Sequence, residues 1–264
     1  MECDRRRTSV VVIPTYNEVQ NLTPLVERVL EHEEFDVLVI DDSSPDGTGE
    51  VADWLAERSQ GGISVLHRAA KLGLGSAITT GLRHALHCGY THVFQMDADF
   101  SHDPSVLPAM RRVLERADVV VGSRYVAGAA TVHRARHREL LSRLASVYTG
   151  AVLGLPLSDP TGGYRGYRRH VLEALDLDQV ASRGYAVQIE LNHRCHQAGF
   201  RFEELPIAFR EREWGRSKMS LGIVFEALVV VAALRLKAQS GDTARHAARL
   251  RTPAGSGAGP ERRA

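Results

Sequence analysis

Residues 9–18 read Ser-Val-Val-Val-Ile-Pro-Thr-Tyr-Asn-Glu. The run 9–13 is short, rich in β-branched residues and closed by Pro14, which predicts a buried strand. A strand that is apolar at consecutive positions suits the interior of a parallel sheet covered on both sides. The residues just beyond it, Tyr16, Asn17 and Glu18, are polar. Working outward, the pattern repeats. Leu22, Leu25, Val26, Val29 and Leu30 follow helical spacing, with Asn21 as the expected N-cap. Residues 37–40 form a second strand candidate, ending in Asp41-Asp42 and opening into the turn-forming Ser43-Ser44-Pro45-Asp46-Gly47. Val51, Ala52 and Leu55 begin another helical stripe, and residues 63–66 a third strand. Ile78, Leu82, Ala85 and Leu86 mark a helix that Gly89 stops. Residues 92–96 are a fourth strand ending in Asp97-Ala98-Asp99, and Asp103-Pro104 reads as an N-cap followed by proline at the first helical position.

Alternating strands and helices predict an α/β fold, a mostly parallel central sheet with helices on both faces. Open sheets of this kind bind ligands beyond the carboxyl ends of their strands. The clusters at 14–18, 41–42 and 97–99 are therefore expected to converge on one crevice. Two carboxylates spaced i, i+2 offer hard oxygen ligands for Mg²⁺ or Mn²⁺, which would bridge diphosphate oxygens. Of Asp41 and Asp42, one is expected to cap its loop and the other to accept from ribose hydroxyls. Tyr16 offers a face for a base, and Glu18 an acceptor for a ring N–H. Lys71-Leu72-Gly73-Leu74-Gly75 precedes a helix but matches no phosphate-loop spacing; a tight turn and a place near a donor both remain open. Arg124 follows Gly122-Ser123, and Arg212 and Lys218 flank Trp214-Gly215-Arg216-Ser217. Cations on such loops can close over a diphosphate.

The chain has 264 residues, enough for one sizeable domain. Its 33 Lys and Arg nearly balance its 32 Asp and Glu, which gives no support for a nucleic-acid partner. Cys3, Cys88 and Cys195 are widely spaced and without a CxxC, so reduced thiols in a cytosolic setting are expected. The 12 histidines form no HExxH or Cys/His ligand set, and no GxSxG is present; the histidines read as surface or core residues. The N-terminus lacks the apolar core of a signal peptide. No stretch reaches the roughly 20 apolar residues of a membrane span. The nearest, 221–236, is interrupted by Glu226 and Arg235. A second apolar segment, 144–157, follows Arg134, Arg136 and Arg138. It suits an anionic lipid surface, or an ordinary core helix with a solvated lead-in. The expected division is a flexible 1–8, a catalytic domain 9–238 and a disordered basic tail 239–264, where five arginines face Asp242 and Glu261.

Residues 12–18 (Val-Ile-Pro-Thr-Tyr-Asn-Glu), 41–48 (Asp-Asp-Ser-Ser-Pro-Asp-Gly-Thr) and 97–104 (Asp-Ala-Asp-Phe-Ser-His-Asp-Pro) resemble the GT-A fold, family 2 glycosyltransferases. Within that family, Gly122-Ser123-Arg124-Tyr125, Asp159-Pro160-Thr161-Gly162-Gly163-Tyr164 and Gly215-Arg216-Ser217-Lys218-Met219-Ser220 resemble the dolichol-phosphate (polyprenol monophosphate) mannose synthases. That group usually has Gly-Glu-Ser-Lys where this chain has Arg216 in the second place. The resemblance implies a GT-A domain with a C-terminal interfacial helix. It implies that Pro14, Tyr16, Glu18, Ile40 and Asp42 hold the nucleoside, and that Asp97, Ala98 and Asp99 contact the donor. It gives Asp97, Asp99 and Ser101 as the metal set, with Mg²⁺ or Mn²⁺ as cofactor. Asp99, Arg124, Arg212 and Lys218 would supply the catalytic charge. The implied donor is GDP-mannose and the acceptor a polyprenyl phosphate, with Arg138 or Arg143 as candidates for the acceptor phosphate. The expected location is peripheral, on the cytosolic face of a membrane, directly or through a membrane-anchored partner protein. A phosphate monoester has a second pKa of about 6 and is largely dianionic at neutral pH, so it needs no general base. Three alternatives stand beside this reading. A polyprenyl-phosphate glucosyltransferase or other family 2 enzyme, adding glucose or a modified sugar to a polyprenyl phosphate or acting on a soluble acceptor, would differ in donor or in membrane dependence. A sugar-phosphate nucleotidyltransferase would be expected to have a basic, Gly-rich first loop, which 14–18 is not. A non-catalytic sugar-nucleotide binding subunit would not need the full set of metal and phosphate residues.

Overall fold

The computed structural model describes residues 7–132, 135–182, 184–210 and 221–239. The expectations placed on residues 1–6, Arg134, Arg212, Lys218 and the tail from 240 lie outside these. In chain order the first half comprises β1 (Ser9–Thr15), α1 (Val19–Leu30), β2 (Phe35–Asp41), α2 (Thr48–Arg58), β3 (Ile63–His67), α3 (Leu74–His87), β4 (His92–Gln95) and α4 (Leu107–Val113). The second half comprises β5 (Val119–Ser123), β6 (Ala130–Val132), α5 (Arg136–Leu153), β7 (Arg165–Arg168), α6 (Arg169–Ala174), α7 (Val187–Gln197), β8 (Phe202–Pro206), β9 (Ala208–Arg210) and α8 (Leu221–Gln239). Among the described residues the strands form a seven-stranded sheet, ordered β3-β2-β1-β4-β7-β5-β8, and a β6-β9 ribbon.

The alternation of β1 explains why it is apolar throughout. Val10 and Val12 enter one core with Leu38, Ile40, Ile78 and Leu82, while Val11 and Ile13 enter the other with Leu22, Leu25, Val37 and Val39. Period-two geometry sends neighbours to opposite faces, and helices cover both. Pro14 lies inside β1 rather than ending it. Its pairing on the β2 side continues to Thr15, but pairing with β4 stops at Val12 and Gln95. The N–H that proline lacks would point to the side where the ladder has already ended, so the sheet loses no bond. β7 is antiparallel to both β4 and β5. Its sequence, Arg-Gly-Tyr-Arg, has no apolar run to announce it.

Two further expectations are corrected. Helix α1 begins at Val19 with Glu18 at the cap position, and Asn21 is instead a buried first-turn residue whose amide donates to Glu18 Oε2 at 2.9 Å. Cys88 is disulfide-bonded, and Cys195 is free and buried, so three reduced thiols are not what the fold carries. Composition and spacing hold no information about a bridge between residues distant in sequence.

Gly166 lets β7 close against its neighbours. A Cβ there would lie 2.6 Å from Phe94 Cε1 and 2.8 Å from Val120 Cγ1, both of them core atoms. Gly166→Ala is therefore expected to destabilise the fold by about 1–3 kcal/mol through overpacking, read as a lower urea midpoint at unchanged slope. An unchanged midpoint would mean that Phe94 repacks freely.

Candidate active site

Strands β2, β1 and β4 are adjacent and parallel, so their carboxyl ends share one edge of the sheet. Just beyond each end a non-glycine residue is left-handed: Asn17 at φ 59°, Ser43 at 58° and Phe100 at 59°. Such conformations cost of order 1–3 kcal/mol each and cluster where backbone is shaped for function. The loops are cross-tied. Asp46 accepts from Thr48 N at 3.1 Å and from Val19 N at 3.3 Å, serving the first turns of α2 and α1 together. Burial pushes its carboxyl up, but these hydrogen bonds outweigh that and hold it below the usual range. Thr48 Oγ1 accepts from Glu18 N at 2.9 Å, which fixes Glu18 over the crevice side of β1.

The two aspartates after β2 divide their work. Asp41 accepts from Thr15 Oγ1 at 3.0 Å and from Ser44 N at 3.0 Å, so it organises the loop. Asp42 accepts from Arg68 Nη1 through Oδ1 and from Gly73 N at 3.0 Å through Oδ2. Arg68 also donates to Ser76. The Gly-rich turn is thereby tied to Asp42, and Lys71 Nζ lies 3.8 Å above the centre of the Tyr16 ring, a cation–π contact. Residues 71–75 make the expected tight turn into α3, with Gly73 at φ 97° in the cap position, and that turn is tied to Asp42. Pro14 and Ile40 are fully buried, and the Ile40 side chain packs where a Cβ on Gly81 would come within 3.2 Å.

The third cluster follows β4. Asp99 is 5% exposed and accepts from Ser101 N at 3.1 Å; Ala98 is buried in the core. Asp97 is half-buried, and its N–H donates to His102 Nδ1 at 3.1 Å. His102 is stacked on Tyr164 with ring centres 4.9 Å apart, and Phe209 of β9 meets it edge-on at 6.0 Å. Burial pushes the His102 pKa down to about 4, with Asp99 opposing, so the ring is neutral at neutral pH. A Cβ on Gly163 would come within 3.4 Å of both Asp97 Oδ2 and His102 Cε1, so the glycine makes room for this turn.

Arg124 is brought to the same cluster, but paired. Its Nε and Nη2 donate to the two oxygens of Asp159, each at 2.6 Å, and Nη2 also to Thr161 Oγ1 at 2.9 Å. The guanidinium lies 5.3 Å from the Phe209 ring centre. Burial lowers the Arg124 pKa and Asp159 raises it, and the net shift is upward. Arg165 is fully buried and donates to Gly162 O at 2.8 Å, Pro160 O at 3.1 Å and Asn192 Oδ1, which sets the 159–163 loop. Arg212 and Lys218 belong to the 211–220 segment, outside the described residues.

The chain matches the Glycosyl transferase family 2 domain over residues 10–176, and these carry all three strand-end clusters. The chain belongs to glycosyl transferase family 2. It is 46% identical over 223 residues to an undecaprenyl-phosphate mannosyltransferase of Micrococcus luteus, covering 84% of this chain and 91% of that one. It is 44% identical over 227 residues to a polyprenol monophosphomannose synthase of Mycolicibacterium smegmatis, covering 85% of each. Its fold is similar to a Pyrobaculum calidifontis mannosyltransferase solved with GDP-Man and Mn²⁺ (TM-score 0.52, 18% identity, 93% of this chain and 74% of that one). It is also similar to S. aureus TarS 1–349 (TM-score 0.56, 17% identity, 92% and 71%).

For a family 2 fold of this kind, the donor set at β4 fits a substrate-bridged cation. Among the described residues no three His, Cys, Asp or Glu side chains form a metal cluster. Mg²⁺-type ions are commonly held by one or two carboxylates plus substrate phosphates rather than by a protein cage, a complement that Asp97 and Asp99 would match in number and chemistry.

Helix α5 presents the other face of the site. Ser142, Ser146, Thr149 and Leu153 are buried, while Leu140, Leu144 and Val147 are 60%, 57% and 64% exposed. This inverts the arrangement of a helix in water. The inner hydroxyls join the site: Ser146 shares a hydrogen bond with Thr161 at 3.1 Å, and Tyr125 OH donates to Ser142 at 2.9 Å. Arg138 and Arg143 are exposed on α5, and Arg143 lies 5.7 Å from the Tyr125 ring centre, beside Arg124. Sequence reasoning passed over Asp159, Arg165, Arg68 and His102 as site residues. The Asp159–Arg124 pairing spans 35 positions and has no local signal, although the Asp-Pro-Thr-Gly-Gly run marked its neighbourhood.

Burial pushes the Asp159 carboxyl up, and the hydrogen bonds and charge of Arg124 bring it below its ordinary value. A carboxyl lowered on folding adds stability at pH above its unfolded pKa of about 3.9, and loses it as pH falls through the lowered value. Asp159→Ala leaves a buried arginine unpaired and should cost about 3–5 kcal/mol at neutral pH. Urea unfolding at neutral pH and below pH 4 checks this: the gap between variant and wild type should narrow in acid.

Proposed function

We propose that this chain transfers mannose from GDP-mannose to a polyprenyl monophosphate, working with Mg²⁺ or Mn²⁺ at a membrane surface. The observation that supports the reading is the pair Asp97 and Asp99 beyond the end of β4, at the same carboxyl edge of the sheet as the loops carrying Tyr16 and Asp42. The names of the relatives at 46% and 44% identity give the sugar and the acceptor class.

In this reading Tyr16, Glu18 and the Asp42–Arg68 pair hold the nucleoside, and Asp97 and Asp99 face the diphosphate. When bound, the cation supplies charge neutralisation for the departing diphosphate. The acceptor phosphate is already dianionic at neutral pH, so the protein's part is in-line positioning and electrostatic stabilisation. His102 is 2% exposed and its Nδ1 is engaged by the Asp97 N–H, so it is not placed to take a proton from an acceptor. Arg124 is held by Asp159, so its contribution is to shape the pocket wall unless the pair opens. Arg143 stands nearest that wall for the acceptor phosphate, with Arg138 farther along α5. Lys218 and Arg212 retain their assignment to the leaving group.

Transfer to radiolabelled lipid from a panel of nucleotide sugars tests the reading. GDP-mannose should be selected, EDTA should abolish turnover, and Asp99→Ala should lower it at least about 100-fold with the fold intact. Preference for a glucosyl donor would favour the glucosyltransferase alternative, and full turnover in EDTA would exclude a role for the cation.

The outward stripe of α5, together with Leu228, Val229 and Leu236 of α8, supports docking on lipid. Among the described residues no helix is long and apolar enough to cross a membrane. Arg136, Arg138, Arg143 and Arg235 are exposed on these two helices, and each basic residue near anionic lipid gains about 1 kcal/mol. Co-sedimentation with anionic vesicles should be strong at low salt, weaken with added salt, and fall sharply in Leu140→Ser/Leu144→Ser/Val147→Ser. Binding by wild type to neither anionic nor neutral vesicles would leave a membrane-anchored partner as the better account.

A further inference from the structure

We propose that His102 is a positioning residue for the donor and metal site, its Nδ1 accepting the Asp97 N–H and so fixing the turn that aims Asp97 and Asp99. The inference rests on the assignment of those two aspartates to the metal. A buried N–H without a partner is costly, so the turn needs an acceptor at this point. Among the described residues the acceptor at Asp97 N is the ring of His102, five positions on. The ring is itself held rigidly. Tyr164 stacks on one face at an interplanar angle of 21°, and the Tyr164 hydroxyl donates to Asp103 O at 2.9 Å. The same turn is tied to β9, since Arg210 N donates to Ser101 O at 3.4 Å and Phe209 stands between His102 and Arg124. β9 leads directly into the segment carrying Arg212 and Lys218. His102 therefore sits where the carboxylate turn meets β9. Partners of this kind set ligand orientation, and their loss typically lowers metal affinity about 10–100-fold.

Two variants separate the acceptor from the packing. His102→Asn keeps an acceptor on the same Cγ and loses the stack on Tyr164. His102→Phe keeps the stack and loses the acceptor. Mn²⁺ binding in the presence of GDP, followed by the electron paramagnetic resonance of free Mn²⁺, is the readout, with thermal unfolding as the check on folding. Asp99→Ala first defines the site by losing binding relative to wild type. His102→Phe should then bind Mn²⁺ about 10–100-fold more weakly than wild type, while His102→Asn stays close to it. If the Phe variant does not fold, His102→Leu takes its place with the same expectation. Wild-type affinity in the folded Phe or Leu variant, or loss in a folded Asn variant, would overturn the inference alone. Equal binding by wild type and Asp99→Ala would overturn the metal assignment and this inference with it.

Discussion

The carboxyl edge of the sheet concentrates negative charge, and its compensation by buried arginines shapes the site. Asp42 is paired with Arg68, and Asp159 with Arg124, all four with side chains less than 10% exposed. Arg165 is buried beside them on carbonyl and amide oxygens. Charges taken out of water must find partners, and losing one partner is far worse than never having the pair. The pairs consequently act as struts. Arg68 ties the 71–75 turn to Asp42, and Arg124 ties the end of β5 to the 159–163 loop. In the turn after β4, the Asp97 N–H donates to His102 Nδ1 and Asp99 Oδ1 accepts from Ser101 N, which ties residues 97–102 together.

The same economy of polar contacts accounts for α5. Its buried face carries hydroxyls at Ser142, Ser146 and Thr149, and Ser146 meets the Arg124–Asp159–Thr161 network through Thr161. Its apolar residues are left on the outside, where water would not hold them and a lipid surface would. One helix thus brings the network around Arg124 next to the face on which a polyprenyl acceptor would lie. Arg143, one turn from Leu140 and adjacent to Tyr125, stands on that boundary.

Much of this was legible in the residues. The continuous apolar run of β1 announced a sheet buried on both faces, and the acidic strand ends announced the crevice, because a parallel sheet brings its carboxyl ends together. That one of Asp41 and Asp42 would cap the loop was readable as well, since Asp before Ser-Ser-Pro favours such a cap, and Asp41 takes that place. What escaped depended on distance in sequence. β7 is polar and antiparallel, so no periodicity revealed it. Arg68 gains meaning only from Asp42 beyond the end of β2, and Arg165 from Asn192 on α7 and the 160–162 carbonyls. His102 looked like any lone histidine until Tyr164, 62 positions later, was stacked on it. The run 221–236 was recognisable as an apolar helix, but not its faces: Val231 is fully buried while Val229 is 52% exposed.

The account's central claim is that the three strand ends form one nucleotide-sugar site. A crystal structure with GDP-mannose and Mn²⁺ tests it most directly. The account predicts the diphosphate and cation against Asp97 and Asp99, and the nucleoside between Tyr16 and the Asp42–Arg68 pair. A nucleotide bound away from the carboxyl ends of β1, β2 and β4, or a cation contacting neither Asp97 nor Asp99, would contradict it.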